Sequence, residues 1–158
     1  MDPPNTKVQP QLNTTAVATY ARQNTRDSYY NGVAGYEDHP PLLYRSDYFK
    51  TLYPTPSGRF FRLPIKSIHG VFNTPLNKVW ENVRYQIRDL LKARNIKRSA
   101  IDPARFVTEG QDHELTIGPV VIWVGVRPDS TSSETAHNVS QEILALLKQN
   151  GVDDVEVE

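Results

Sequence analysis

The sequence predicts an α+β domain: a ferredoxin-like βαββαβ sandwich, both helices on one sheet face, with an irregular, aromatic-rich N-terminal arm. Three observations carry that expectation. The run 120–126 is short, almost continuously apolar and rich in β-branched residues, the pattern of a strand buried on both faces. Two segments, one after Thr74 and one after Ser133, place apolar residues at three- and four-residue steps, the period of an amphipathic helix. From residue 65 the elements run strand, helix, strand, strand, helix, strand, the order of the split βαβ pattern. In that topology the first and third strands are central.

The chain before residue 65 has another character. It holds seven of the eight tyrosines and most of the prolines. Residues 1–28 are rich in Asn, Thr, Gln and Pro, with few large aliphatics to offset the entropy of ordering, which predicts a flexible segment. Residues 29–64 are too apolar for a free tail, and Pro40, Pro41, Pro54, Pro56 and Pro64 forbid long regular elements. They form the predicted arm. Its Tyr44, Tyr48, Phe49, Tyr53, Phe60 and Phe61 suit packing over the domain or docking on a partner, since a tyrosine buries its ring and keeps its hydroxyl wet.

Residues 65–72 read as the first strand, with Ile68, Gly70 and Phe72 on one face and Ser67, His69 and Val71 on the other. Thr74 is the expected N-cap and Pro75 the first helical residue, where its missing N–H costs nothing. Leu76, Val79, Trp80, Val83, Ile87, Leu90 and Leu91 mark a helix of about 20 residues that ends near Asn95. After Asp102-Pro103 a short strand is expected over 105–108, then a turn at 109–113. The returning strand covers 115–126, with Pro119 at its start or at a bulge. The last helix is expected from 131–133, capped by Thr131 with Glu134, or by Ser132 or Ser133. Gly151 closes it. Residues 152–158 alternate valine and acid, which predicts a half-exposed strand in a chain that continues beyond it.

Composition excludes several classes. The 158 residues suffice for one core, and the formal net charge is zero, so no global field favours nucleic acid or an anionic membrane. There is no cysteine, which removes disulfides and thiolate metal sites. No apolar run approaches the ~20 residues that span a bilayer. The N-terminus lacks the apolar core of a signal peptide, which predicts an intracellular protein, cytoplasmic or nuclear. The four histidines have no partners at metal-binding spacing, so no metal or cofactor is expected.

Residues GRFFRLPIKSIHGVFNTPLNKVW, SAIDPARFV and the block GPVVIW…TAHNVSQEIL resemble a large family of uncharacterised fungal, basidiomycete-type proteins over roughly 58–158. The resemblance implies the domain boundaries and a chain that runs on past its last strand. It implies no activity.

Candidate chemistry concentrates in the loop 127–135, between a central strand and a helix N-terminus. Free backbone N–H groups favour an anion there, Arg127 could pair with it, and Ser130, Thr131, Ser132, Ser133 and His137 could donate hydrogen bonds. Hydroxyls before a helix are also ordinary caps, and no phosphate-loop fingerprint is present. Ser67 and His69 share a strand face but lack the elbow and oxyanion donors of a nucleophile. The first helix carries Lys78, Arg84, Arg88 and Lys92 on its polar face, a solvated surface or a basic stripe for phosphate. Of the base-stacking aromatics of RNA-binding sheets, the third strand offers only Trp123 and the first only Phe72, and the Gly-aromatic pattern is absent, which argues against nucleic acid. The sequence thus points first to a non-enzymatic protein-interaction or assembly module of a larger protein, acting on a protein partner or on itself. A ligand- or anion-binding domain, with or without catalysis, is the second reading. Nucleic-acid binding through the basic face of 75–95 is the third.

Overall fold

A computed structural model describes residues 23–35, 38–48, 50, 53–54 and 58–158. Residues 1–22 of the expected flexible segment, and Tyr36, Phe49, Leu52 and Pro56 of the arm, lie outside the described residues. The elements are α1 (Gln23–Ser28), β1 (Ile65–His69), α2 (Pro75–Ala93), β2 (Arg98–Glu109), β3 (Leu115–Val126), α3 (Ser133–Gln149) and β4 (Val155–Val157). Residues 23–28, expected to be flexible, are thus a helical turn and a half.

The class is α+β, built on a four-stranded mixed sheet, with three helices among the described residues. Its order is β1-β2-β3-β4, which differs from the ferredoxin-like order. β1 lies antiparallel beside β2, β2 antiparallel beside β3, and β3 parallel to β4. The third strand is interior as expected, but its interior companion is β2 and not β1. The physical reason is length and burial. β1 has five residues, of which only Lys66 is buried, the profile of an edge strand. β2 runs twelve residues and pairs along nearly all of β3.

The proline in β2 explains why that strand looks short in sequence. Pro103 pairs with Ile122 at a position whose backbone faces away from β3. β1 pairs with β2 only from Arg105 onward, so no ladder partner is waiting for the N–H that Pro103 lacks. At Pro119 the structure has the expected bulge. Between the pairs Arg105↔Val120 and Val107↔Ile117, β3 advances one residue more than β2, which places the extra residue at Gly118-Pro119.

Both long helices cover one sheet face. Leu76, Val83, Ile87 and Leu91 of α2 and Val139, Ile143 and Leu147 of α3 share a core with Val120, Ile122, Val155 and Val157. The starts of the helices follow from their sequences. Asn77 Oδ1 accepts from Thr74 N at 2.9 Å with Pro75 at the first position, and Arg94–Glu142 joins the helices at 2.6 Å. The cap of α3 is Ser132, whose Oγ accepts from Thr135 N at 3.1 Å. Of the other two expected caps, Thr131 lies just outside the helix and Ser133 is its first residue.

The arm covers the opposite face. Tyr29, Tyr30 and Leu42 form a second core with Ala104, Phe106 and Val121, flanked by Tyr53 and Trp123. It also reaches both outer edges of the sheet. Asn31 O accepts from Lys66 N of β1 at 2.7 Å, and Ser46 N donates to Val157 O of β4 at 2.9 Å. Bound edges cannot template pairing with another chain.

Candidate functional site

The far end of β3 is where the arm, the strand-to-helix loop and α3 converge. Arg26 Nε donates to Leu42 O at 3.2 Å and Leu42 N donates to Arg26 O at 2.9 Å, which fixes residues 40–44 as a wall. α3 forms the facing wall with Ala136, Val139 and Ile143. Between them, floored by 123–126, is a cavity of about 470 Å³, within the size range of small-ligand sites. Its lining is mostly apolar, with Arg26, Tyr30, Tyr44, Ser99, Arg127, Asp129, Thr131, Ser140 and Glu158 as polar members.

The loop hydroxyls divide by partner. Ser130 Oγ donates to Arg127 O at 2.6 Å, which closes the turn that Asp129 makes at positive φ. Ser132 caps α3, and Ser133 Oγ donates to Leu43 O of the arm at 3.3 Å. Thr131 Oγ1 is buried and has no hydrogen-bond partner among the described residues. His137 Nδ1 and Tyr44 Oη are 2.9 Å apart with their rings edge to face. Of the six residues expected to bind a ligand, Arg127 and Thr131 line the cavity. Ser130, Ser132, Ser133 and His137 instead hold the loop, the helix start and the arm.

Beneath the arm runs a polar seam that the sequence does not announce. Glu158 accepts from Tyr29 Oη at 2.6 Å and from Tyr30 Oη at 3.0 Å. Burial raises its carboxyl above the usual range, against the pull of the Lys66 ammonium and the tyrosine hydroxyls. Burial also pushes Lys66 down to about 8, and its Nζ sits 3.1 Å from the Tyr29 ring centroid, a cation–π contact. The phenols of Tyr29 and Tyr30 are held well above their ordinary range, first by burial and then by Glu158. Arg45 and Asp47 form a buried pair at 3.3 Å. Glu156 accepts from Ser46 Oγ at 2.6 Å and pairs with Lys50. The expected half-exposed final strand is therefore buried on both sides. Its valines face the helices and its acids face the arm. Alternating acids look like a solvent face until an element with cations and phenols lies over them.

The arm residues expected to meet a partner separate in the same way. Tyr44 bonds to His137, Tyr53 Oη donates to Ser28 O at 2.9 Å, and Tyr48 lies under Arg45. Phe61 is half-buried, while Phe60 is 87% exposed. On the basic face of α2, Arg84 pairs with Glu81 at 3.1 Å and Arg88 with Asp89 at 2.8 Å. Both guanidinium groups also stack on Tyr85. Lys78 and Lys92 are exposed. Ser67 Oγ and His69 Nε2 are 3.0 Å apart on an exposed strand face and are not part of the cavity lining.

Among the described residues no three His, Asp or Glu side chains converge as a metal site, and no helix is long and apolar enough to cross a membrane. Comparison with known proteins gives no matching family model, no matching curated protein and no matching solved structure.

Proposed function

We propose that this domain is an interaction module and that its binding element is the cavity at the end of β3. The observation that carries the reading is the enclosure of about 470 Å³ between arm, strand and helix. A mostly apolar concavity with a few convergent polar groups is the usual form of a binding site. Thr131 Oγ1, without a partner among the described residues, and the Arg127 side chain at the lining give an occupant something to hydrogen-bond. This reading merges the interaction role expected of the arm with the ligand role expected of the 127–137 loop, because each supplies one wall.

The test is binding of an environment-sensitive apolar dye, with Ala136→Trp as the blocked variant. Ala136 is partly exposed and lines the cavity, so tryptophan there fills space without entering the main core. Dye fluorescence that rises with the native protein and falls at least tenfold with Ala136→Trp supports the reading. Equal fluorescence for both proteins overturns it.

A second reading rests on a separate observation. Leu115 (69% exposed), Ile117 (65%) and Ile65 (48%) sit on the helix-facing side of the sheet, beyond the reach of the helices. Such a strip favours self-association.

A further inference from the structure

We infer that the exposed apolar strip at the hairpin end of the sheet binds a second copy of this chain about a two-fold axis, with Arg59 and Arg62 of each copy against Asp112 and Glu114 of the other. The inference rests on the self-association reading and adds the arrangement by which the strip matches itself.

The strip lies where the helices stop. Strand pairing sets Ile65, Glu109 and Leu115 in one row across the sheet and Val107 and Ile117 in the next. Val107 is two residues from Arg105, which pairs with Val120, so these rows share the face that the helices cover further along. The helix core takes in Val120 and Ile122 of β3 but neither Leu115 nor Ile117. The segment before β1 runs beside the same end: Arg62 N donates to Gln111 Oε1 at 3.0 Å, and Gln111 Nε2 donates back to Arg62 O. Of the eight large apolar side chains exposed among the described residues, five gather here: Phe60, Leu63, Ile65, Leu115 and Ile117. An apolar concentration of this kind marks an interaction surface.

Its charged borders say which partner fits. Arg59 and Arg62 are exposed on the segment before β1, and Asp112 and Glu114 are exposed at the hairpin tip. None of the four forms an ion pair among the described residues. Two cations and two anions beside one strip disfavour any partner of a single sign. An anionic membrane or a nucleic acid meets the two carboxylates, and a basic peptide meets the two guanidinium groups. A copy of the same surface, turned about a two-fold, offers each charge its opposite. An apolar centre with a polar rim is also the usual anatomy of a protein–protein interface.

The experiment measures dimerisation of the full chain by analytical ultracentrifugation, with two charge-reversed variants whose circular dichroism matches the native chain. One is Arg59→Glu with Arg62→Glu, and the other is Asp112→Lys with Glu114→Lys. Each alone sets like charges against each other across the two-fold and should weaken dimerisation at least tenfold. Mixed in equal amounts, the two present opposite charges at both contacts, and the native affinity should return. Variants that each dimerise as the native chain does, or a mixture that stays monomeric, overturn the paired arrangement. Leu115→Lys with Ile117→Lys separates this inference from the reading beneath it. If that variant is monomeric while both charge variants dimerise normally, the strip is an interface and the two-fold pairing is wrong. A native chain that stays monomeric overturns both, and its sedimentation with phosphatidylserine vesicles would assign the strip to a lipid surface instead.

Discussion

Ser46 and Val157 are joined twice: Ser46 N donates to Val157 O at 2.9 Å, and Val157 N donates to Ser46 Oγ at 2.8 Å. One residue of the arm thereby satisfies both outward backbone groups of a β4 residue, while its hydroxyl donates to Glu156. Ser46→Ala strands a backbone N–H and removes a bond to a carboxylate. The expected loss is about 1–3 kcal/mol of unfolding free energy in urea titration.

The seam gives a pH dependence with a defined sign. Folded Lys66 releases its proton near pH 8, against 10.5 for an ordinary lysine. Between those values the unfolded chain binds more protons, so stability rises with pH, by at most about 1.4 kcal/mol per unit. Glu158 acts at the acid end. Its folded carboxyl holds a proton above the ordinary 4.5, so that contribution is present below 4.5 and is lost as pH rises through the raised value. Lys66→Met should remove the alkaline rise and leave the acid limb. A parallel rise in both proteins from pH 8 to 9.5, followed by denaturant titration, would show that Lys66 is not its source.

Burial separates two large apolar side chains. Ile87 is fully buried between the helices and the sheet, and Phe60 is 87% exposed. Ile87→Ala should cost about 2–5 kcal/mol, and Phe60→Ala should stay within about 0.5 kcal/mol. Thermal unfolding of the pair checks the difference.

The N-terminus of α3 offers a contrast between neighbours. Ser132→Ala should lose about 1 kcal/mol, because its Oγ caps Thr135 N. Thr131→Val should be neutral or stabilising, because the hydroxyl it removes is buried without a partner among the described residues. The reverse ranking in urea would mean that Thr131 is the cap.

The exposed strip predicts concentration-dependent mass. If Leu115 and Ile117 meet a second copy, Leu115→Lys with Ile117→Lys should lower the apparent mass in light scattering and leave the unfolding midpoint nearly unchanged. A native protein that stays monomeric at high concentration would leave the strip without that role.

Much of the fold is legible in the residues. Thr74-Pro75 and the 3.6-residue period place α2, and the β-branched run places β3, because those signals are local. Pro103 hides the length of β2, since its harmlessness depends on where β1 stops. Strand order is hidden for a similar reason: the same order of elements fits more than one pairing, and the choice falls to β1 being short and poorly buried. The site divides likewise. Arg127 and Thr131 are visible as loop residues, but the cavity exists only because residues 40–44 lie opposite Ala136 and Val139. Lys66 and Glu158 look like solvent-facing charges until Tyr29 and Tyr30 are laid over them.

The arm's anchors have a consequence for the order of assembly. Tyr29 and Glu158 are 129 positions apart, and Ser46 and Glu156 are 110. Contacts that distant close slowly, because a long loop must be ordered before they form. During synthesis the β2–β3 hairpin can collapse early, while Tyr29 and Tyr30 wait for a carboxylate not yet translated. Until that carboxylate arrives, the two phenols can pack on Phe106 and Trp123 but lack the acceptor that fixes their hydroxyls.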